Sequence, residues 1–187
     1  MEFWDIYDSN RNKINKVIQR DGIQRLGLGE YHLVVEAIII NDNNKILIGK
    51  RAKNKKNYPL YWECNGGSVK SGESSQQGIL REIYEELGIN FKNDDAILYK
   101  SIRDDSIKAF KDFWIFKRNI DINSIKFIDK ETIEAKWVSI DELEKMKENN
   151  EFMPRSILNR EEMREIVNRL EFIEKSKKDR KDEENER

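Results

Sequence analysis

The sequence predicts an α/β fold with a β-hairpin at its amino end and a long helix at its carboxyl end. Three observations carry that prediction. YHLVVEAIII (31–40) and KILIGKR (45–51) are runs of β-branched and aliphatic residues joined by the turn NDNN, which reads as a hairpin of strands. Ile79, Leu80, Ile83 and Leu87 recur at helical spacing. Met163, Ile166, Val167, Leu170 and Ile173 do the same near the carboxyl end. A chain of 187 residues, 37% hydrophobic and 10% aromatic, can bury one sizeable core.

The elements follow in order. Phe3–Tyr7, the turn-like DSNRN and Lys13–Ile18 form a short amino-terminal hairpin, followed by a loop with Gly22, Gly27 and Gly29. The longer hairpin of 31–51 leads into an irregular loop, KNKKNYPLYWE, that carries Pro59. Ser74 with Gln77 three residues later is a capping box, and Gly88 stands where a helix C′ glycine belongs, so a helix spans 75–87. AILYKSIR (96–103), AFKDFWIFKR (109–118) and EAKWV (134–138) read as strands. Ser139 with Glu142 opens a second capped helix, IDELEKMK. From Glu174 onward no apolar residue occurs, which predicts a solvated helix extension or a frayed tail. The expected division is a hairpin extension (1–29), one domain including the carboxy-terminal helices (30–173) and a charged tail (174–187).

Charged residues make up 38% of the chain, against roughly 25% in ordinary globular domains. The net charge is only −1, so the molecule as a whole carries no strong attraction for nucleic acid or an anionic membrane. Cys64 stands alone, which excludes an intramolecular disulfide and suits a reducing cytosol. The opening MEFWDIYDSN has no basic start and no apolar core of a signal peptide. The apolar run Leu33–Ile40 is broken by Glu36 and is too short to span a bilayer. A cytoplasmic protein with no membrane segment is expected.

Within one helical turn the chain sets three glutamates, Glu82, Glu85 and Glu86. At i, i+3 and i+4 they share a face, and like charges so close destabilise a helix unless something positive answers them. Solvent and nearby lysines can do so, and so can a metal ion.

The residues around them narrow the choice. Gly67, five residues, Glu73, seven residues, then Arg81-Glu82-Ile83-Tyr84-Glu85-Glu86-Leu87-Gly88-Ile89 resembles the Nudix box, G-x5-E-x7-R-E-U-x-E-E-x-G-U with U aliphatic, at every fixed position. The order of elements from about residue 30 to 148 is similar to that family as well. The resemblance implies a mixed β-sheet between helices, with the box as a loop–helix–loop against it. It implies hydrolysis of a nucleoside diphosphate, or another diphosphate, linked to a further group, with Mg²⁺ or Mn²⁺ as cofactor. It makes Glu85 and Glu86 metal ligands, Glu82 a ligand or the general base, and the Gly66 carbonyl a further ligand. Arg81 and Glu73 pair to hold the loop on the helix, and Gly67 lies against the substrate. A downstream acidic residue joins them, Glu131 or Glu134. The chemistry is coherent: Mg²⁺ takes hard oxygen ligands, neutralises phosphate and activates water.

Other residues admit two readings each. Arg51, in GKRAKNKK, can grip a phosphate with its fork or belong to a solvated basic loop. Tyr58, Tyr61 and Trp62 can stack on a substrate ring or pack in the core. EYHLVV and the Lys50-Arg51 pair look like the subgroup that includes isopentenyl-diphosphate isomerases, but the positions of that enzyme's catalytic cysteine and histidine fall on Gly66 and Ser68. His32 then reads as a structural strand residue and Cys64 as a small buried apolar one. Beside the hydrolase stand an isomerase-like enzyme and a nucleotide-sensing module without catalysis. The partner implied is a small-molecule diphosphate. The amino-terminal hairpin and the last helix can build a homodimer or fold back on their own domain.

Overall fold

The computed structural model describes residues 2–20 and 26–185. Gly22, in the glycine-bearing loop, lies outside the described residues. β1 (Phe3–Tyr7) and β2 (Lys13–Gln19) pair antiparallel as the amino-terminal hairpin. Its turn is made by Asp8, whose carboxylate accepts from the Asn10 and Asn12 backbone N–H groups, both at 2.9 Å. The hairpin folds back on its own chain. Trp4 stacks on His32 with ring centroids 4.2 Å apart, and Tyr7 and Tyr31 exchange backbone hydrogen bonds of 2.8 and 2.9 Å.

Then come β3 (His32–Ile40), β4 (Ile46–Arg51), the short β5 (Trp62–Glu63) and β6 (Gly66–Ser68), α1 (Ser75–Leu87), β7 (Ile97–Asp104), β8 (Ala109–Lys117), β9 (Thr132–Val138), α2 (Ile140–Glu148) and α3 (Arg160–Asn185). β3 to β9 form one mixed sheet. β3 runs parallel to β8 along its whole length, from His32 opposite Ala109 to Ile40 opposite Lys117, and β7 pairs antiparallel with β8. On its other edge β3 meets β4 only at Ile39–Leu47 and Ile40–Ile46. β4 then diverges to pair with β5 and β9. β6 fills the vacated edge of β3, from Val34–Ser68 to Glu36–Gly66. This divergence makes strands of WE and GGS, which the sequence reading treats as loop: the splayed edges need backbone partners.

The period of two along β3 sorts the core into two layers. Val35, Ala37 and Ile39 face α1 and pack with Ile79, Ile83 and Leu87. Ile38 and Ile40 face the other way and pack with Leu143 and Met146 of α2 and Met163, Ile166 and Leu170 of α3. The sheet is thus sandwiched between α1 and the α2–α3 pair, as the sequence predicts. α1 begins with the predicted reciprocal cap, Gln77 N–H to Ser74 Oγ at 3.2 Å and Ser74 N–H to Gln77 Oε1 at 2.8 Å, and ends on Gly88 at φ +68°. α3 docks on the sheet edge, where Arg169 donates to the Leu98 and Tyr99 carbonyls at 3.0 and 3.1 Å. Among the described residues no helix is long and apolar enough to cross a membrane.

Candidate active site

β6 occupies the edge of β3 that β4 leaves, and α1 packs against both strands. Gly66 approaches β3 so closely that a Cβ there would lie 2.1 Å from the Val35 carbonyl oxygen. The ladder bonds fall on the residues either side of it, Ala37 N–H to Asn65 O at 2.8 Å and Val69 N–H to Leu33 O at 2.9 Å. Gly66 therefore sits at a non-hydrogen-bonded position whose carbonyl points away from β3. Gly67 is pressed against the Glu82 carboxylate: a Cβ there would lie 2.6 Å from Oε1 and 2.8 Å from Oε2.

Arg81 organises the rest of the box. Its Nε donates to Glu73 Oε1 at 2.7 Å and its Nη2 to Glu73 Oε2 at 3.0 Å, a two-point clamp of loop on helix. Nη2 also donates to the Ser68 carbonyl at 3.0 Å. Nη1 reaches Glu82 at 2.8 Å and Glu85 at 2.9 Å. Lys70 adds a second cation to Glu85 at 3.3 Å.

Glu86 behaves differently. It is the most buried of the three glutamates, only 5% exposed. Its Oε2 accepts from Asn65 Nδ2 at 2.9 Å and from the Gly66 N–H at 3.0 Å. Those two donors stand at the start of β6, beneath the helix. Burial, and after it the charges of Glu63 and Glu82, push the Glu86 carboxyl well above the ordinary carboxylate range. Burial likewise raises Glu82, against the pull of Arg81, and Glu63, against the pull of Arg51.

The sequence therefore identifies Glu73, Arg81, Glu82, Glu85, Glu86, Gly66 and Gly67 as neighbours, and the fold brings them together. It does not bring Arg51, Trp62 or Glu134 to them as free groups. Arg51 spends its fork inside the protein, on Glu63 at 2.6 Å and on the Asn57 and Tyr58 carbonyls at 3.0 to 3.2 Å. Trp62 is a core residue with Lys136 4.2 Å from its ring centroid and Lys50 at 5.3 Å. Glu134 is exposed and pairs with Lys50 at 3.4 Å, while Glu131 pairs with Lys55. Three residues escaped the sequence reading. Glu63 ends the short strand β5, and Asn65 stands just before β6, beside the glycines. Asp129 lies two residues before Glu131; its backbone N–H donates to the Glu85 carbonyl at 3.0 Å, and its charge adds to the field on Glu86. The signal for it was the acidic character of DKETIE; the hydrogen bond that chooses within it is tertiary.

The residues present fit a hard divalent cation. Carboxylates of Glu63, Glu82 and Glu86 concentrate negative charge that Arg51 and Arg81 answer only in part, and Asn65 Oδ1 is buried with no hydrogen-bond partner. Among the described residues no three acidic, histidine or cysteine side chains close on one point.

The chain matches the NUDIX domain over residues 30–159. It belongs to the Nudix family. An uncharacterized Nudix hydrolase of Listeria monocytogenes is 34% identical over 160 residues, which span 85% of this chain and 92% of the relative. Its counterpart in Listeria innocua is 32% identical over the same shares. A crystal structure from Deinococcus radiodurans superposes with a TM-score of 0.66 at 20% identity, covering 81% of this chain and 91% of that one. A MutT protein from Methanosarcina mazei gives 0.51 at 25% identity, covering 66% and 86%. The Nudix domain of Shewanella oneidensis NrtR, complexed with ADP ribose, gives 0.51 at 14% identity, covering 68% and 82%. The chain is a pyrophosphohydrolase of the Nudix type.

Proposed function

We propose that this Nudix enzyme cleaves the diphosphate bond of a nucleoside diphosphate linked to a further group, using Mg²⁺, for which Mn²⁺ can substitute. The observation that carries the reading is the buried Glu86 carboxylate, held by Asn65 and Gly66 in a field made more negative by Glu63 and Glu82. Glu82, Glu86 and Glu63, with the Gly66 carbonyl and Asn65 Oδ1, would hold the cation. Glu85, set beside them by Arg81 and Lys70, would complete the set. A bound divalent cation supplies neutralisation of the diphosphate and Lewis acidity.

The chain's own groups do the rest. Glu82, raised by burial, is suited to take a proton from the attacking water. The water oxygen then bonds to phosphorus, the bridging P–O bond breaks, and the other phosphate leaves. Arg81 and Glu73 keep loop and helix in register, so that catalysis rests on positioning and charge. The isomerase-like reading has less support. Burial, then the charges of Glu36 and Glu63, drive the Cys64 thiol well above its ordinary range, which suppresses thiolate chemistry.

ADP ribose, the ligand of the Shewanella domain, opens the substrate panel. The purified protein is incubated with Mg²⁺ and a set of nucleoside diphosphate derivatives, and products are read by mass spectrometry. Monophosphate release that is lost in Glu86→Gln supports the proposal. Tight binding without cleavage across the panel favours a sensor, and double-bond migration in isopentenyl diphosphate favours the isomerase.

A further inference from the structure

The family match begins at residue 30, so the β1–β2 hairpin lies outside it. Yet the hairpin is joined to the box. Asp5 of β1, 6% exposed, accepts from Ser71 Oγ at 2.7 Å and from the Gly72 N–H at 2.9 Å. The Phe3 carbonyl accepts from the Ser71 N–H at 2.7 Å. Lys70 lies 3.4 Å from Glu2 on one side and 3.3 Å from Glu85 on the other. These contacts hold the turn at Gly72, where φ is +88°.

The turn bears directly on the box. The Lys70 N–H donates to Glu73 Oε2 at 3.0 Å, and Glu73 is the two-point partner of Arg81, which in turn holds Glu82 and Glu85. The hairpin is itself firmly seated, by Trp4 on His32, by the Tyr7–Tyr31 backbone pair, and by the Arg11 fork on Asp112 at 2.6 and 2.7 Å. Asp5 also holds Lys13 of β2 at 2.6 Å, so it does not depend on the loop for its place.

We infer that Asp5 is a positioning residue: it fixes the 70–73 turn, and through Glu73 it fixes where Arg81 holds the box carboxylates. The amino-terminal hairpin is then a working part of the metal site. The metal half of this inference rests on the function proposed above.

The test uses the full chain and Mn²⁺ as probe. Asp5→Asn, Asp5→Glu and Ser71→Ala are compared with the wild type and with Glu86→Gln. Three quantities are read: hydrogen exchange at the Gly72 amide, Mn²⁺ affinity by electron paramagnetic resonance, and the thermal midpoint. Asp5→Asn should exchange the Gly72 amide about 10- to 100-fold faster, the loss of one charge-assisted hydrogen bond. It should bind Mn²⁺ several-fold more weakly while its midpoint moves by only a few degrees. Asp5→Glu should recover part of both effects, and Ser71→Ala should fall between. Wild-type exchange and Mn²⁺ affinity in Asp5→Asn would overturn the inference, as would a Mn²⁺ loss that only tracks a collapsed midpoint. If Asp5→Asn does not fold, Ser71→Ala decides by the same two readings. If the wild type binds Mn²⁺ no better than Glu86→Gln, the proposed metal site fails and takes the metal half of the inference with it. Gly72 exchange then still settles whether Asp5 holds the turn.

Discussion

Asn65 Nδ2 donates to Glu86 Oε2 at 2.9 Å with both side chains buried, and its own Oδ1 is left buried without a partner. An unpaired buried acceptor costs about 1–3 kcal/mol. A protein keeps such a group where a ligand or ion completes it. Asn65→Ala removes both the donor to Glu86 and the orphan acceptor. It should lower Mg²⁺-supported kcat/KM by about 10- to 100-fold, the usual effect of losing a group that orients a metal ligand. Initial rates across a Mg²⁺ titration check this. An unaltered half-saturation point would remove Asn65 from the site.

Gly66 and Gly67 separate activity from stability. In Gly67→Ala the new methyl meets the Glu82 carboxylate at 2.6 Å, and a flexible side chain can swing aside. The fold should hold while kcat drops about 100-fold, as displacement of a catalytic group by an ångström does. In Gly66→Ala the methyl meets the Val35 carbonyl oxygen at 2.1 Å, and backbone cannot yield. That variant should lose about 3 kcal/mol or more of stability. Urea midpoints and rates measured on both variants check the ranking, and the reverse order would contradict the geometry.

The pattern of residues exposes some of this site and hides the rest for a physical reason. Ser74, Gln77 and Gly88 mark the ends of α1 because capping is local chemistry, and the structure places the caps there. Glu73 and Arg81 are eight residues apart, and one turn and one helix bring them together; the resemblance to the Nudix box, not the spacing, implies the pair. Glu86 is different. Its burial depends on Asn65 and Gly66, donors at the start of β6, and helical periodicity sees neither. Arg51 looks like a free phosphate fork in sequence because Glu63 and the Asn57 carbonyl reach it only after β4 and β5 pair. The short strands β5 and β6 are equally hidden, since the divergence of β3 from β4 creates them.

His32 makes stability fall in mild acid. It is buried and stacked on Trp4. Burial first, and then the charge of Arg20, lower its pKa from 6.5 to about 4. The unfolded chain therefore takes up a proton that the folded chain refuses. Stability begins to drop as pH falls through 6.5 and stops changing on this account below about 4. The total loss is about 3 kcal/mol. Asp5 and Asp112, both held below their ordinary range, add losses at lower pH. His32→Phe keeps a ring against Trp4 and removes the titration. The difference in unfolding free energy between wild type and variant should shift by about 3 kcal/mol between pH 7 and pH 4. A difference that stays flat with pH would show that His32 titrates normally in the fold.

Asp112 ties three elements at one buried point. It is 1% exposed and accepts from Arg11 at 2.6 and 2.7 Å, from Ser75 at the start of α1 and from Ser101 of β7, both at 2.5 Å. Breaking such a buried pair costs more than the pair contributes, because the partner charge stays behind. Asp112→Ala should therefore lose about 3–5 kcal/mol. Arg11→Ala should lose a similar amount, since it leaves the Asp112 carboxylate buried with only two hydroxyls to answer its charge. Arg11→Lys should not restore the wild type, because an ammonium cannot make the two-point contact. Urea unfolding of the two single variants and the double variant measures their coupling, which should reach about 1–3 kcal/mol for groups in direct contact. If the double variant loses the plain sum of the two singles, the Arg11–Asp112 bond carries no energy, and the hairpin is held by its other contacts, those of Trp4 and Asp5 and the backbone pairs among them.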